Sequence, residues 1–106
     1  MPLQVYRDPP HLVLLAQVAT DHLVLTDKSV RPILMVRIPR SALNAIVPRH
    51  RTSDDIQRDM FLYKSNLDLV AHYVTLIPYG RYEIRDGARV LTLVDSEVRS
   101  LGWYFE

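Results

Sequence analysis

The spacing of apolar residues changes along the chain, and each change predicts an element. Leu34, Val36 and Ile38 alternate with Met35 and Arg37, the two-residue period of a strand with one face inward and one outward. Leu23 to Leu25, a polar turn at Thr26 to Ser29, and Ile33 to Ile38 read as a hairpin, with Pro32 marking an edge or a strand start. Upstream, a short strand at Leu3 to Tyr6 meets the Asp8-Pro9-Pro10 break. In His11 to Ala19, the residues Leu12, Leu14, Ala16 and Val18 share one strand face, although a run this short leaves a helix open as well. Pro39 closes the Ile33 strand, Ser41 caps a short helix to Val47, and Pro48 stops it. A basic loop from Pro48 to Ser53 follows.

The longest helix is expected from Thr52-Ser53-Asp54-Asp55, whose hydroxyls and carboxylates suit a helix start, to Ile77, ahead of Pro78-Tyr79-Gly80. Within it Ile56, Met60, Tyr63, Leu67, Val70, Ala71, Val74 and Ile77 recur at steps of three and four and form the stripe assigned to the sheet. Leu62, Leu69 and Leu76 recur every seven residues and, with Tyr73, form a second stripe well round the helix from the first. One apolar arc suffices for a helix lying on a sheet. The second stripe must therefore meet another part of the chain or a second copy, and it is the candidate self-association seam of a homodimer. Beyond the helix, Arg81 to Arg85 and Ala88 to Val94 flank Asp86-Gly87, a pair suited to a tight hairpin. Asp95 or Ser96 caps a last helical turn ended by Gly102, leaving Trp103-Tyr104-Phe105 as a tail. The expected class is α+β: a mostly antiparallel sheet of about four to five strands, with one long and one short helix packed on a face.

Composition narrows the classes of function. The 106 residues suit one domain, and 48% hydrophobic with 24% charged residues is a globular balance. With no cysteine there is no disulfide, thiolate nucleophile or zinc-thiolate site, so a cytoplasmic setting is expected. The longest apolar run, Leu12 to Ala16, is far short of the roughly 20 residues of a membrane span. Net charge is +1, yet Lys28 to Ser53 holds Lys28, Arg31, Arg37, Arg40, Arg49 and Arg51 with no acid, so that stretch is +6 and the remainder −5.

Candidate chemistry is sparse. His11, His22, His50 and His72 are too scattered to suggest a metal site, and no glycine-rich phosphate loop or nucleophile elbow occurs, so no cofactor is expected. Asp68 and His72, four apart on the polar helix face, have the spacing of an acid–base pair and are the residues a small enzyme would use. Arg49-His50-Arg51 precedes a helix start, where free amides favour an anion. With Arg37, Arg40 and Arg81 it forms a candidate anion or nucleic-acid surface, partly neutralised by Asp54 and Asp55.

The segment Leu23 to Asp95 resembles the small bacterial proteins grouped as domain of unknown function 1488. The resemblance is carried by a strand pair leading into Ile38-Pro39-Arg40-Ser41-Ala42-Leu43, by Phe61 and Asn66 on a long helix, by Tyr79-Gly80-Arg81 and Asp86-Gly87, and by an apolar strand ending at Asp95. It covers about two-thirds of the chain; Pro39 and the Trp103-Tyr104-Phe105 tail depart from the pattern. It implies the same element order and a bacterial cytoplasmic origin, and it transfers no functional residue. The reading that follows is a non-enzymatic interaction or regulatory module that self-associates. A nucleic-acid-binding module is the alternative, and a small enzyme the second alternative; an unidentified protein partner suits the first, and no membrane partner is expected.

Overall fold

The alternation at residues 33–38 becomes β3 (Ile33–Pro39), the central strand of the sheet. The structure is a computed structural model, and it describes residues 4–15, 21–46 and 64–104. Around β3 lie β1 (Val13–Leu14), β2 (His22–Asp27), α1 (Arg40–Ile46), α2 (Lys64–Val74), a 3-10 turn (Tyr79–Arg81), β4 (Glu83–Arg85), β5 (Ala88–Thr92) and α3 (Asp95–Ser100). The five strands run in the order β1-β2-β3-β5-β4.

The α+β class is as expected, but the sheet is mixed. β1 with β2, β2 with β3 and β4 with β5 are antiparallel, whereas β3 and β5 are parallel, with Met35 opposite Val90 and Val36 opposite Leu91. Polarity explains the placement. β5 is apolar on both sides, through Ala88 and Val90 on one and Leu91 on the other, so it is stable only between two strands. Glu83-Ile84-Arg85 is exposed throughout and takes the edge. An antiparallel hairpin whose second strand goes inward therefore meets β3 in parallel.

The long helix expected to end at Ile77 stops at Val74; its expected first half lies outside the described residues. Residues 75–77 tighten instead, each amide reaching the carbonyl three residues back: Thr75 to His72, Leu76 to Tyr73 and Ile77 to Val74. There is also a third helix, α3. Val94 rather than Asp95 or Ser96 stands at its N-cap, and the Glu97 carboxylate accepts the Val94 amide at 3.0 Å. The Asp86-Gly87 hairpin forms as expected, with both residues at positive φ (49° and 76°) between Arg85 and Ala88, the geometry of a primed two-residue turn. The expected strand at His11 to Ala19 is realised as the two-residue β1, and its continuation at residues 16–20 lies outside the described residues.

The core occupies one face of the sheet. Leu23, Leu25, Leu34, Val36, Ile38, Leu91 and Leu93 pack against Ala42 and Leu43 of α1, Val70, Ala71 and Val74 of α2, and Val98 of α3. Three polar side chains are buried among the described residues, and all are satisfied; the Thr26 hydroxyl donates to the Leu34 carbonyl at 2.8 Å. Asp27 accepts the Ser29 amide (2.8 Å) and hydroxyl (2.6 Å) and the His11 amide (2.9 Å), tying the N-terminal segment to the β2–β3 turn. Burial alone would raise the Asp27 pKa, but these bonds to the charged form hold it below its ordinary value. Asn66 of α2 donates to the Tyr104 carbonyl (3.1 Å) and accepts from its amide (2.8 Å), fastening the tail as a paired strand would.

Candidate interaction surface

The register that turns Leu34, Val36 and Ile38 towards the helices turns Ile33, Met35 and Arg37 the other way. Their cross-strand partners follow them: Val24 and Thr26 from β2, Ala88, Val90 and Thr92 from β5, and Glu83 and Arg85 from the β4 edge. None of these residues belongs to the cluster that packs with the helices. On this second face lies a cavity of about 400 Å³, lined by Leu15, Val24, Ile33, Met35, Arg37, Arg85, Asp86, Ala88 and Val90. Val24, Ala88 and Val90 are buried in its floor, while Ile33, Met35 and Arg37 are half-buried.

Two charged corners bound the apolar floor. At the end of β3 farther from the Asp86-Gly87 turn, Arg37 donates from its guanidinium to His22 Nδ1 at 3.1 Å. A ring nitrogen that accepts from a cation carries no proton, and burial followed by the Arg37 charge lowers the His22 pKa, against the opposing pull of Asp21. The Arg37–His22 pair therefore carries one positive charge, with the Asp21 carboxylate close by. At the diagonal corner, Glu83 and Arg85 form an exposed pair (2.6 Å) beside Asp86, which sums to −1. The sequence placed Met35 and Arg37 together on the face away from Leu34, Val36 and Ile38. It gave no sign that Val24, Val90, Glu83, Arg85 and Asp86 would join them, because that depends on pairings across the whole sheet.

The residues singled out in the sequence are dispersed. Arg40 opens α1, half-buried, and its amide bonds to the Asp21 carbonyl (3.0 Å). Arg81 is engaged within the chain: its guanidinium meets Glu97 at 2.7 and 3.1 Å and reaches the carbonyl of Thr92, the residue paired with Arg37, at 3.4 Å. Arg49, His50 and Arg51 lie outside the described residues, as does Leu62 of the proposed seam. Of the rest of that seam, Leu76 is 62% exposed and Leu69 half-buried. Tyr73 packs against the core and donates its hydroxyl to Glu97. The leucines thus share the helix surface with a tyrosine already committed within the chain.

Asp68 and His72 line a second cavity of about 330 Å³ with Pro9, Pro10, His11 and Ala71. The N-terminal segment thus brings a second imidazole to the pair. Among the described residues no group of three or more His, Asp or Glu is placed to hold a metal ion, and no helix is long and apolar enough to cross a membrane. Comparison of the chain with family models, with curated proteins and with solved structures finds no match.

Proposed function

We propose that this chain is a non-enzymatic interaction module whose contact surface is the second face of the sheet. The observation that carries this reading is the 400 Å³ concavity with a floor of Val24, Met35, Ala88 and Val90 and with charge confined to two corners. Its volume is within the range of pockets that take an apolar group, and an apolar centre inside a polar rim is the anatomy of a protein contact. The cavity beside Asp68 and His72 offers acid and base groups, but His11 is the one further polar side chain among its described lining residues.

The anionic dye anilinonaphthalene sulfonate, which brightens in apolar surroundings, tests the reading. The folded chain is expected to bind it, and Met35→Asp, which sets a carboxylate against the dye's sulfonate at the centre of the floor, to weaken binding by about tenfold or more. Binding unchanged by that substitution overturns the assignment of the surface. Leu76→Asp, on the opposite side of the sheet, serves as the control and is expected to leave dye binding intact.

A further inference from the structure

Resting on that reading of the second face, we infer that the concavity binds a small, unbranched monocarboxylate, with its carboxylate on Arg37 and its alkyl chain running along the floor towards Asp86. Shape comes first. Val24, Ala88 and Val90 in the floor are only 5–7% exposed, so little of it is open to a broad surface, and the occupant of the 400 Å³ hollow is slender. Apart from Arg37, Arg85 and Asp86, every described residue that lines it is apolar. Length agrees. β3 carries Ile33 at the level of Ala88, beside the Asp86-Gly87 turn, and Arg37 at the level of Thr92. Four residues of strand separate the two ends, roughly 13 Å, which accommodates an extended chain of octanoate length.

Charge decides which end holds the head group. Arg85 is paired with Glu83 at 2.6 Å and has Asp86 beside it, so its charge is already offset. Arg37 differs. Its printed partner is the Nδ1 of His22, a neutral acceptor that takes one donor of the guanidinium and fixes its direction, while the planar fork keeps donors for a carboxylate. Asp21 lies near His22 but is not among the described residues that line the hollow. The far end is acidic through Asp86, so a second carboxylate on the ligand would meet both an apolar floor and a like charge. The site therefore selects one head group and one apolar tail.

Nuclear magnetic resonance titration of the full chain with octanoate, octanol and suberate, the eight-carbon dicarboxylate, reads this out. Octanoate is expected to bind weakly, as a ligand of so few atoms does, and to shift the signals of Val24, Met35 and Val90. Octanol and suberate are expected to bind about tenfold more weakly, the first for want of the charge-assisted bond and the second for its extra charge. Arg37→Gln is expected to cost octanoate about tenfold and to leave octanol unchanged, a split that a general loss of packing would not produce. Circular dichroism confirms the fold of the variant. Octanol or suberate binding as tightly as octanoate overturns the proposal, as does octanoate binding indifferent to Arg37→Gln. So do octanoate shifts that fall on the helices. If octanoate fails to bind while dye binding stays sensitive to Met35→Asp, the ligand class falls and the surface stands; if dye binding also ignores Met35→Asp, the surface falls with it.

Discussion

Glu97 ties three separate parts of the molecule together. It accepts from the Tyr73 hydroxyl of α2, the guanidinium of Arg81 at the end of the 3-10 turn, and the Val94 amide at the start of its own helix. Burial alone would raise its pKa, but Arg81, Tyr73 and the amide all favour the charged form, and together they hold it at about 2. A carboxylate whose pKa is lower folded than unfolded stabilises the fold fully above the ordinary carboxylate range, and that stabilisation drains away as pH falls towards 2. Because Arg81 is 38% exposed, solvent screening reduces the effect to on the order of 1–2 kcal/mol. Urea unfolding of wild type and Glu97→Gln is therefore expected to show a gap of that size near neutrality, closing as pH drops from about 5 to about 2. A constant gap would show that the lost contacts are steric.

Tyr82 presents the opposite case. It is 8% exposed, stands edge-to-face with Tyr6 and Tyr79, and its hydroxyl has no hydrogen-bond partner among the described residues. Burial drives its pKa far up, so it stays neutral, yet the unpaired hydroxyl still carries a desolvation cost of about 1–3 kcal/mol. Tyr82→Phe keeps the ring contacts and removes that cost. It is expected to leave stability unchanged or raise it by about 1 kcal/mol, read from the urea midpoint; a loss of more than about 1 kcal/mol would mean the hydroxyl is satisfied in solution.

At the scale of elements, what was legible was local. Asp86-Gly87 dictates its hairpin because the two backbones can take positive φ without help from the rest of the fold. The two-residue period gave β3, and the inward positions of α2, Val70, Ala71 and Val74, are buried as their spacing requires. Helix ends were less legible. α2 stops at Val74 because three consecutive amides turn to the carbonyls three residues back, a choice made by the packing of Ile77 into the core. Asn66 shows why a polar residue in a helix is ambiguous on paper: it is fully buried, and its meaning lies 38 residues away in the Tyr104 backbone. Asn66→Ala leaves both tail groups unpaired and is expected to cost about 2 kcal/mol. It should also free Trp103, the only tryptophan, whose ring nitrogen now bonds the Val98 carbonyl at 2.7 Å. A red shift of its fluorescence reports that release, and an unshifted spectrum would show that the indole bond holds the tail by itself.

Across the whole molecule, the decisive fact is that the described helices share one face of a mixed sheet. On the other face the strands bring Arg37, eleven to fifteen residues from its β2 neighbours, within one face of Glu83 and Asp86 from the far edge. The sequence reading placed self-association on the helix through Leu62, Leu69, Tyr73 and Leu76. The structure shows Tyr73 bound to Glu97 and Leu76 exposed.

By itself the sequence determined the elements whose causes are near neighbours: the hairpin turn, the alternation of β3, the breaks at prolines and the α+β class. Only the tertiary structure decided the strand order, the parallel pairing of β3 with β5, the capture of Arg81 by Glu97 and the placement of Arg37 and Glu83 on one face of the sheet. The physical reason is range. Backbone angles and side-chain periodicity act over a few residues, whereas strand order and ion pairing are chosen by how much apolar surface the complete chain buries and how each buried charge finds a partner.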